Sequence, residues 1–249
     1  MNNQKPIKIH HFISFDFIAA LLAIGPGVIS WSLVILLAIH FSSSKGLLIL
    51  ILLVSPLLLS LTFISILAIF RMLIPKLKPG VTHIGFNKGT FAWYCHLALN
   101  RSLKVSGFRY LLNVSYVLKF LVYRALGAKI GFGIHTPMEY TLVDLTLLEI
   151  GAGTSFGENV HVFCHYFTGD RLLLKSVKIG KNCFLGTNCI VGPGSQIGNN
   201  AYVGFGNIVS GDSIADGEHI GDGEWKEGSP KRALKAKQTN LARKKASKI

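Results

Sequence analysis

From Phe17 to Phe41 the chain runs 25 residues without a Lys, Arg, Asp or Glu, and from Gly46 to Phe70 it runs 25 more. Each run exceeds the roughly 20 residues needed to cross a hydrocarbon core of about 30 Å. The connector Ser42-Ser43-Ser44-Lys45 is short enough to force a tight hairpin. The pattern therefore predicts two transmembrane helices over residues 17–74, after an N-terminal segment of residues 1–16. Pro26 and Pro56 interrupt the runs, and membrane helices tolerate such breaks. A cleaved signal peptide competes for the first run, but its apolar stretch is longer than the usual 7–15 or so residues and a second run follows at once.

A different pattern occupies residues 75–128. Between Thr90 and Ala128, aromatic and aliphatic residues alternate with Arg101, Lys104, Arg109, Lys119 and Arg124. This predicts two amphipathic helices broken near Ser106-Gly107. With Trp93, Tyr94, Tyr110, Tyr116 and Tyr123 among cations, they fit the membrane interface. Packing against the following domain is the alternative.

From residue 129 the period changes again. Ile179, Leu185, Val191, Ile197, Val203 and Val209 stand six apart, each followed by Gly except Val209, which Ser210 follows. Four residues after each aliphatic comes a small or compact residue: Cys183, Cys189, Ser195, Ala201, Asn207 and Ser213. A short strand and a tight turn repeated every six residues build a triangular coil whose aliphatics stack into a column. The same phase runs through Ile150, Phe156 and Val162. It predicts an all-β parallel β-helix over residues 129–225, with the cysteines as packed free thiols. The 17 residues from Val162 to Ile179 are not a whole number of hexads, so a loop within residues 163–176 interrupts the coil.

Charge divides the chain along the same boundaries. Residues 71–129 hold ten Lys and Arg and no acid, residues 130–225 hold four basic and ten acidic residues, and residues 226–249 hold nine basic residues and one acid. The basic belt suits anionic lipid headgroups, and beside two apolar runs it argues against nucleic acid. Lys5 and Lys8 before the hairpin and Arg71, Lys76 and Lys78 after it outnumber Lys45 in the turn. The positive-inside rule then places both ends, and the β-helix, on the cytoplasmic side of an inner membrane, making the protein multi-pass. The last 24 residues form a basic tail that can bind lipid or stay disordered.

Titratable residues gather around the interruption: His161, His165, Asp170 and Arg171, with Asp144 and Glu149 just before. Alternation along a strand turns Val160 and Val162 inward and His161 outward. An outward histidine beside a loop on a packed column is a candidate general base. Either histidine can equally be solvated or bound to loop backbone.

The hexads, the run Asp144-Leu-Thr-Leu-Leu-Glu-Ile-Gly151, the loop with His165 and the terminal Gly228-Ser-Pro-Lys-Arg232 resemble the left-handed β-helix acyltransferases, the hexapeptide-repeat transferase superfamily. The resemblance covers about residues 128–232. A closer likeness is to the membrane-linked β-helix domain that ends ε-poly-lysine synthetase and similar proteins, where "PG" and an amphipathic stretch precede residues like Leu126 to Gly131. The superfamily implies a homotrimer with acetyl-CoA or another acyl-CoA lying between subunits and no metal. It implies a histidine that deprotonates the acceptor hydroxyl or amine for attack on the thioester. His165 is the best match for that histidine and His161 the second, with Asp144 and Glu149 as groups that could orient it. By position, Gly186, Gly204 and Gly206 would let the pantetheine approach, and Lys231 and Arg232 would meet the CoA phosphates. The acceptor would be a glycan, lipid-linked sugar or peptide near the membrane. Two other readings remain: a γ-carbonic-anhydrase-like enzyme, which needs three protein zinc ligands, and a non-catalytic trimeric scaffold or peptide-synthetase-like ligase component.

Overall fold

The computed structural model describes residue 13 and residues 15–222. Helix α1 (Asp16–His40) and helix α2 (Lys45–Leu73) form an antiparallel hairpin. Both are long and apolar enough to cross a membrane. Their outward faces carry Phe17, Leu21, Trp31, Leu36, Leu53 and Leu57, all about half exposed or more, as expected of helices that meet something apolar. The two buried serines of the hairpin satisfy themselves inside their own helices: Ser30 Oγ donates to Pro26 O at 2.6 Å and Ser60 Oγ to Pro56 O at 2.7 Å. Such closure is what a polar group needs where no water reaches.

Three shorter helices follow: α3 (Lys88–Val105), α4 (Phe108–Asn113) and α5 (Tyr116–Ala125). The break expected near Ser106-Gly107 is present, with Gly107 at φ 75°. A second break after α4 appears because Ser115 caps α5, its side chain accepting from Leu118 N at 3.3 Å. α3 packs along α1 on one side. On its other side Asn100 Nδ2 donates to Leu142 O at 2.9 Å, so α3 lies between the hairpin and the β domain. Trp93 is 4% exposed, so packing against the β domain, not the membrane interface, is its place.

The β domain is a left-handed parallel β-helix of hexapeptide repeats. Its strands form three parallel sheets of four, four and five, and each residue pairs with the equivalent one in the neighbouring coil, as Ile190 does with His161 below and Ile208 above. The column of Val162, Leu185, Val191, Val203 and Val209 is no more than 1% exposed. Each such side chain contributes about 1.5–3 kcal/mol when fully buried. Four turns are made by Asn159, Asn182, Asn188 and Asn200 in the left-handed region that asparagine tolerates. Cys183, Cys189, Ser195, Ala201 and Asn207 point inward, but Ser213 is exposed. The repeat after Val209 is one residue short: Ile214, five after Val209, takes the inward position, and Ile220 follows at the regular six.

The interruption is an antiparallel hairpin. Strand His165–Thr168 pairs with Arg171–Leu174 around Gly169-Asp170. Its second strand also pairs with Gly80–His83, a strand just ahead of α3, in the register Gly80↔Leu174 to His83↔Arg171. Asn87 links that strand to the helix, accepting from Thr90 N at 3.0 Å as the cap of α3 and from Thr82 Oγ1 at 2.9 Å. The segment that carries Trp93 and the segment that carries His165 are therefore one mechanical unit.

Candidate active site

The site starts from an unusual backbone. Asp144 follows the strand Tyr140–Leu142 and adopts φ 56°, ψ 45°, a left-handed conformation few side chains other than Asn and Asp accept. The bend starts a single 3-10 turn, with Leu147 N donating to Asp144 O at 2.8 Å, and the Asp144 side chain is fully buried. The coil, the hairpin and α3 each supply a donor to that carboxylate. Cys164 N donates to Oδ2 at 3.0 Å, Trp93 Nε1 donates to Oδ1 at 3.0 Å, and His165 Nδ1 lies 2.6 Å from Oδ2. Charge-assisted bonds of this length fix both the ring and its tautomer, leaving Nε2 to meet a partner.

His165 retains 19% side-chain exposure. Aromatic rings surround it: Trp93 edge-on at 5.1 Å, Phe167 edge-on at 5.7 Å and Phe163 at 6.1 Å. An imidazole held by a buried carboxylate inside an aromatic collar and still partly exposed is an arrangement suited to general-base chemistry. Cys164, beside it, is a poor nucleophile: burial pushes its thiol well above the ordinary range, and the Asp144 charge pushes the same way.

Of the residues singled out from the sequence, the structure brings together Asp144 and His165. Glu149 lies elsewhere, because the 3-10 turn carries the chain to the next sheet; its carboxylate pairs with Lys129 at 2.7 Å and faces Lys178 at 3.9 Å. His161 points outward as alternation required, on the strand Val160–Val162. Asp170 pairs with His83 Nδ1 at 3.2 Å at the hairpin tip, and Arg171 stands opposite His83 in the strand register. His135 meets the Tyr116 hydroxyl at 3.1 Å. The amides of Gly186, Gly204 and Gly206 are already committed to neighbouring coils, donating to Val203 O, Ile220 O and Thr187 O. Gly186 and Gly204 are glycine because the next coil passes too close for a Cβ, which at 186 would lie 2.7 Å from Phe205 N. Lys231 and Arg232 lie outside the described residues. Among the described residues no three His, Cys, Asp or Glu side chains cluster as metal ligands.

Trp93 was not a candidate from sequence. Its spacing among aromatics and cations on α3 carries an interfacial signal as readily as a packing one, and its pairing with Asp144 crosses 51 residues.

Residues 176–211 match the bacterial transferase hexapeptide (six repeats) family. Three of the solved structures that are similar in part are acetyltransferases. A hexapeptide-repeat-containing acetyltransferase from Vibrio cholerae is 13% identical over 47% of this chain and 83% of its own, with a TM-score of 0.38. A maltose O-acetyltransferase from Clostridium difficile is 21% identical over 55% and 92%, with a TM-score of 0.31. A serine acetyltransferase from Neisseria gonorrhoeae is 22% identical over 56% and 54%, with a TM-score of 0.19. Among curated protein sequences none matches the chain significantly.

Proposed function

We propose that this hexapeptide-repeat coil is the catalytic part of a membrane-anchored acyltransferase, moving an acetyl or other acyl group from an acyl-CoA to a hydroxyl or amine of a membrane-proximal acceptor. The observation that carries the reading is the Asp144–His165 pair, a buried carboxylate 2.6 Å from Nδ1 of a histidine whose ring is still reachable.

In this mechanism His165 Nε2 takes the proton of the acceptor hydroxyl or amine as the acceptor atom attacks the thioester carbonyl carbon. The tetrahedral intermediate collapses with cleavage of the C–S bond. The departing CoA thiolate receives the proton from the imidazolium. Asp144 holds the ring and offsets the positive charge that forms on it; Trp93 and Cys164 N hold Asp144. The aromatic collar limits water, which would otherwise hydrolyse the thioester. The coil works as a homotrimer on the cytoplasmic side, where acyl-CoA is available, and the α1–α2 hairpin holds it to the membrane.

The test uses the full chain in detergent with a panel of acyl-CoAs. A donor that binds the fold raises its thermal midpoint, and free CoA is released when a membrane extract supplies acceptors. His165→Ala should start from a lower midpoint, because buried Asp144 loses its 2.6 Å partner, but keep the rise that the acyl-CoA causes and lose the release. Failure of every acyl-CoA to shift the midpoint, or undiminished release by the variant, sinks the reading.

A further inference from the structure

The depth at which α3 meets the hairpin can be read from two contacts. A Cβ on Gly27 would lie 2.8 Å from Ser106 Cβ, and the Trp31 and Phe108 rings are 6.5 Å apart. Phe108 also stacks on Phe63 of α2 at 4.2 Å. The corner between α3 and α4 therefore abuts the hairpin at Gly27, 13 residues from the end of α1, or about 20 Å before its turn at a rise of 1.5 Å per residue. Beyond that corner only the apolar hairpin continues, and its length of about 20 Å enters a hydrocarbon core of about 30 Å without crossing it, where the sequence predicted two full spans. At the corner stand Lys104, Arg109, and the half-exposed Trp31 and Tyr110. Cations and amphipathic aromatics together mark headgroup depth.

A cavity of about 260 Å³ opens at this depth, between α3 and the strand Tyr140–Leu142. Its walls are apolar at Leu97, Leu103 and Leu142, and cationic at Arg101, Lys104 and Arg109. Arg109 is used in the fold: it donates to Met138 O and Tyr140 O, and lies 3.9 Å from Glu139. Arg101 and Lys104 are exposed, and among the described residues no carboxylate stands within ion-pair distance of either. Val143, the neighbour of Asp144, also lines the cavity. Leu97 and Asn100, four and seven residues after Trp93, share its face of α3. The cavity thus shares a face of α3 with Trp93, whose position is about 16 Å along the helix from Lys104.

We infer that this cavity binds the phosphate of a membrane amphiphile through Arg101 and Lys104, with apolar chain beside Leu97 and Leu103, and that the phosphate belongs to the acceptor. Guanidinium and ammonium groups with no carboxylate partner among the described residues, next to an apolar wall, match a lipid phosphate better than a fully soluble anion. The assignment to the acceptor rests on the acyltransferase reading; the affinity for lipid phosphate does not.

Titration calorimetry on the full chain in detergent, with no acyl donor present, tests the site. The probes are dihexanoyl phosphatidic acid, dihexanoyl phosphatidylcholine and inorganic phosphate. The phosphatidic acid should bind more tightly than the other two. Arg101→Gln combined with Lys104→Gln should weaken it about tenfold or more, and Lys88→Gln, at the other end of α3, should leave it unchanged. Unaltered affinity in the double variant, equal loss in Lys88→Gln, or displacement of the lipid by equimolar inorganic phosphate would overturn the inference. Because no acyl donor is present, lipid binding that survives in a chain shown not to release CoA would remove the transferase reading and leave the site standing.

Discussion

Trp93 and His165 meet on opposite oxygens of one buried carboxylate, 3.0 and 2.6 Å away, while their rings touch edge to face at 5.1 Å. Asp144 is consequently held by groups from α3, the coil and the inserted hairpin at once. The imidazole inherits that rigidity, since the hairpin that carries it is also paired to the strand Gly80–His83 ahead of α3.

Asp144→Asn keeps the shape of this side chain but sets an amide N–H₂ among three donors. The ring loses its preferred tautomer and the charge that balances an imidazolium. CoA release should fall by about 10³- to 10⁴-fold, with folding stability reduced by about 1–3 kcal/mol for the mispaired buried groups. Single-turnover release measured beside a thermal melt checks both. A variant retaining more than a tenth of the activity removes Asp144 from the mechanism.

Trp93→Phe deletes one N–H and keeps most of the ring contact. Asp144 Oδ1 is then left without its side-chain donor in a buried position, which costs about 1–3 kcal/mol. Under the proposed mechanism, in which Trp93 positions the base through Asp144, the expected signature is a loss of kcat of about tenfold with KM for the acyl-CoA unchanged. A rise in KM with kcat intact would instead assign Trp93 to donor binding.

The coil was legible in the sequence because its period is carried by identical residue types six apart, and the buried column of Ile179 to Val209 follows that count. The interruption before Val177 was legible by arithmetic alone, but its form was not. An antiparallel hairpin that recruits Gly80–His83 is a pairing across about 90 residues, invisible to local periodicity. Glu149 and Asp144 look equivalent along the chain, five residues apart. The left-handed residue at 144 and the 3-10 turn after it place them on different sheets, one against His165 and one against Lys129. Ser213 shows the opposite limit: the repeat reads on by one position too many, where the coil has already shortened by a residue.

The same coil predicts where substitution is most damaging. Gly180 follows the inward Ile179, and a Cβ there would lie 2.6 Å from Asn199 N and 2.6 Å from Gly198 C, both backbone atoms of the next coil. Neither can move without parting the ladder in which Gly180 N donates to Ile197 O at 2.8 Å. Gly180→Ala should cost about 1–3 kcal/mol or more, as overpacking does, and lower the thermal midpoint clearly. Gly206→Ala is the contrast. A Cβ there meets nothing within 4 Å, but its φ of 71° still strains an alanine, so a smaller loss of about 1–2 kcal/mol is expected. Equal midpoints for the two variants would contradict the close approach at Gly180.

All four cysteines are buried and free, and burial raises each thiol above its ordinary range, Cys95 to about 11 and Cys164 furthest. The folded chain therefore keeps these protons where the unfolded chain has begun to lose them. Above the ordinary thiol pKa the unfolded state binds fewer protons, so stability falls with rising pH in that window and is unaffected by these groups below it. Tyr123, also raised by burial, adds to the fall at higher pH. The thermal midpoint should hold steady from pH 7 to about 8 and decline beyond the thiol range near 9. Native labelling with a thiol-reactive disulfide at pH 8 should be slow at all four positions and complete in denaturant. Rapid native labelling of Cys164 would show that the space beside Asp144 opens to solvent, against the closed packing on which the dyad depends.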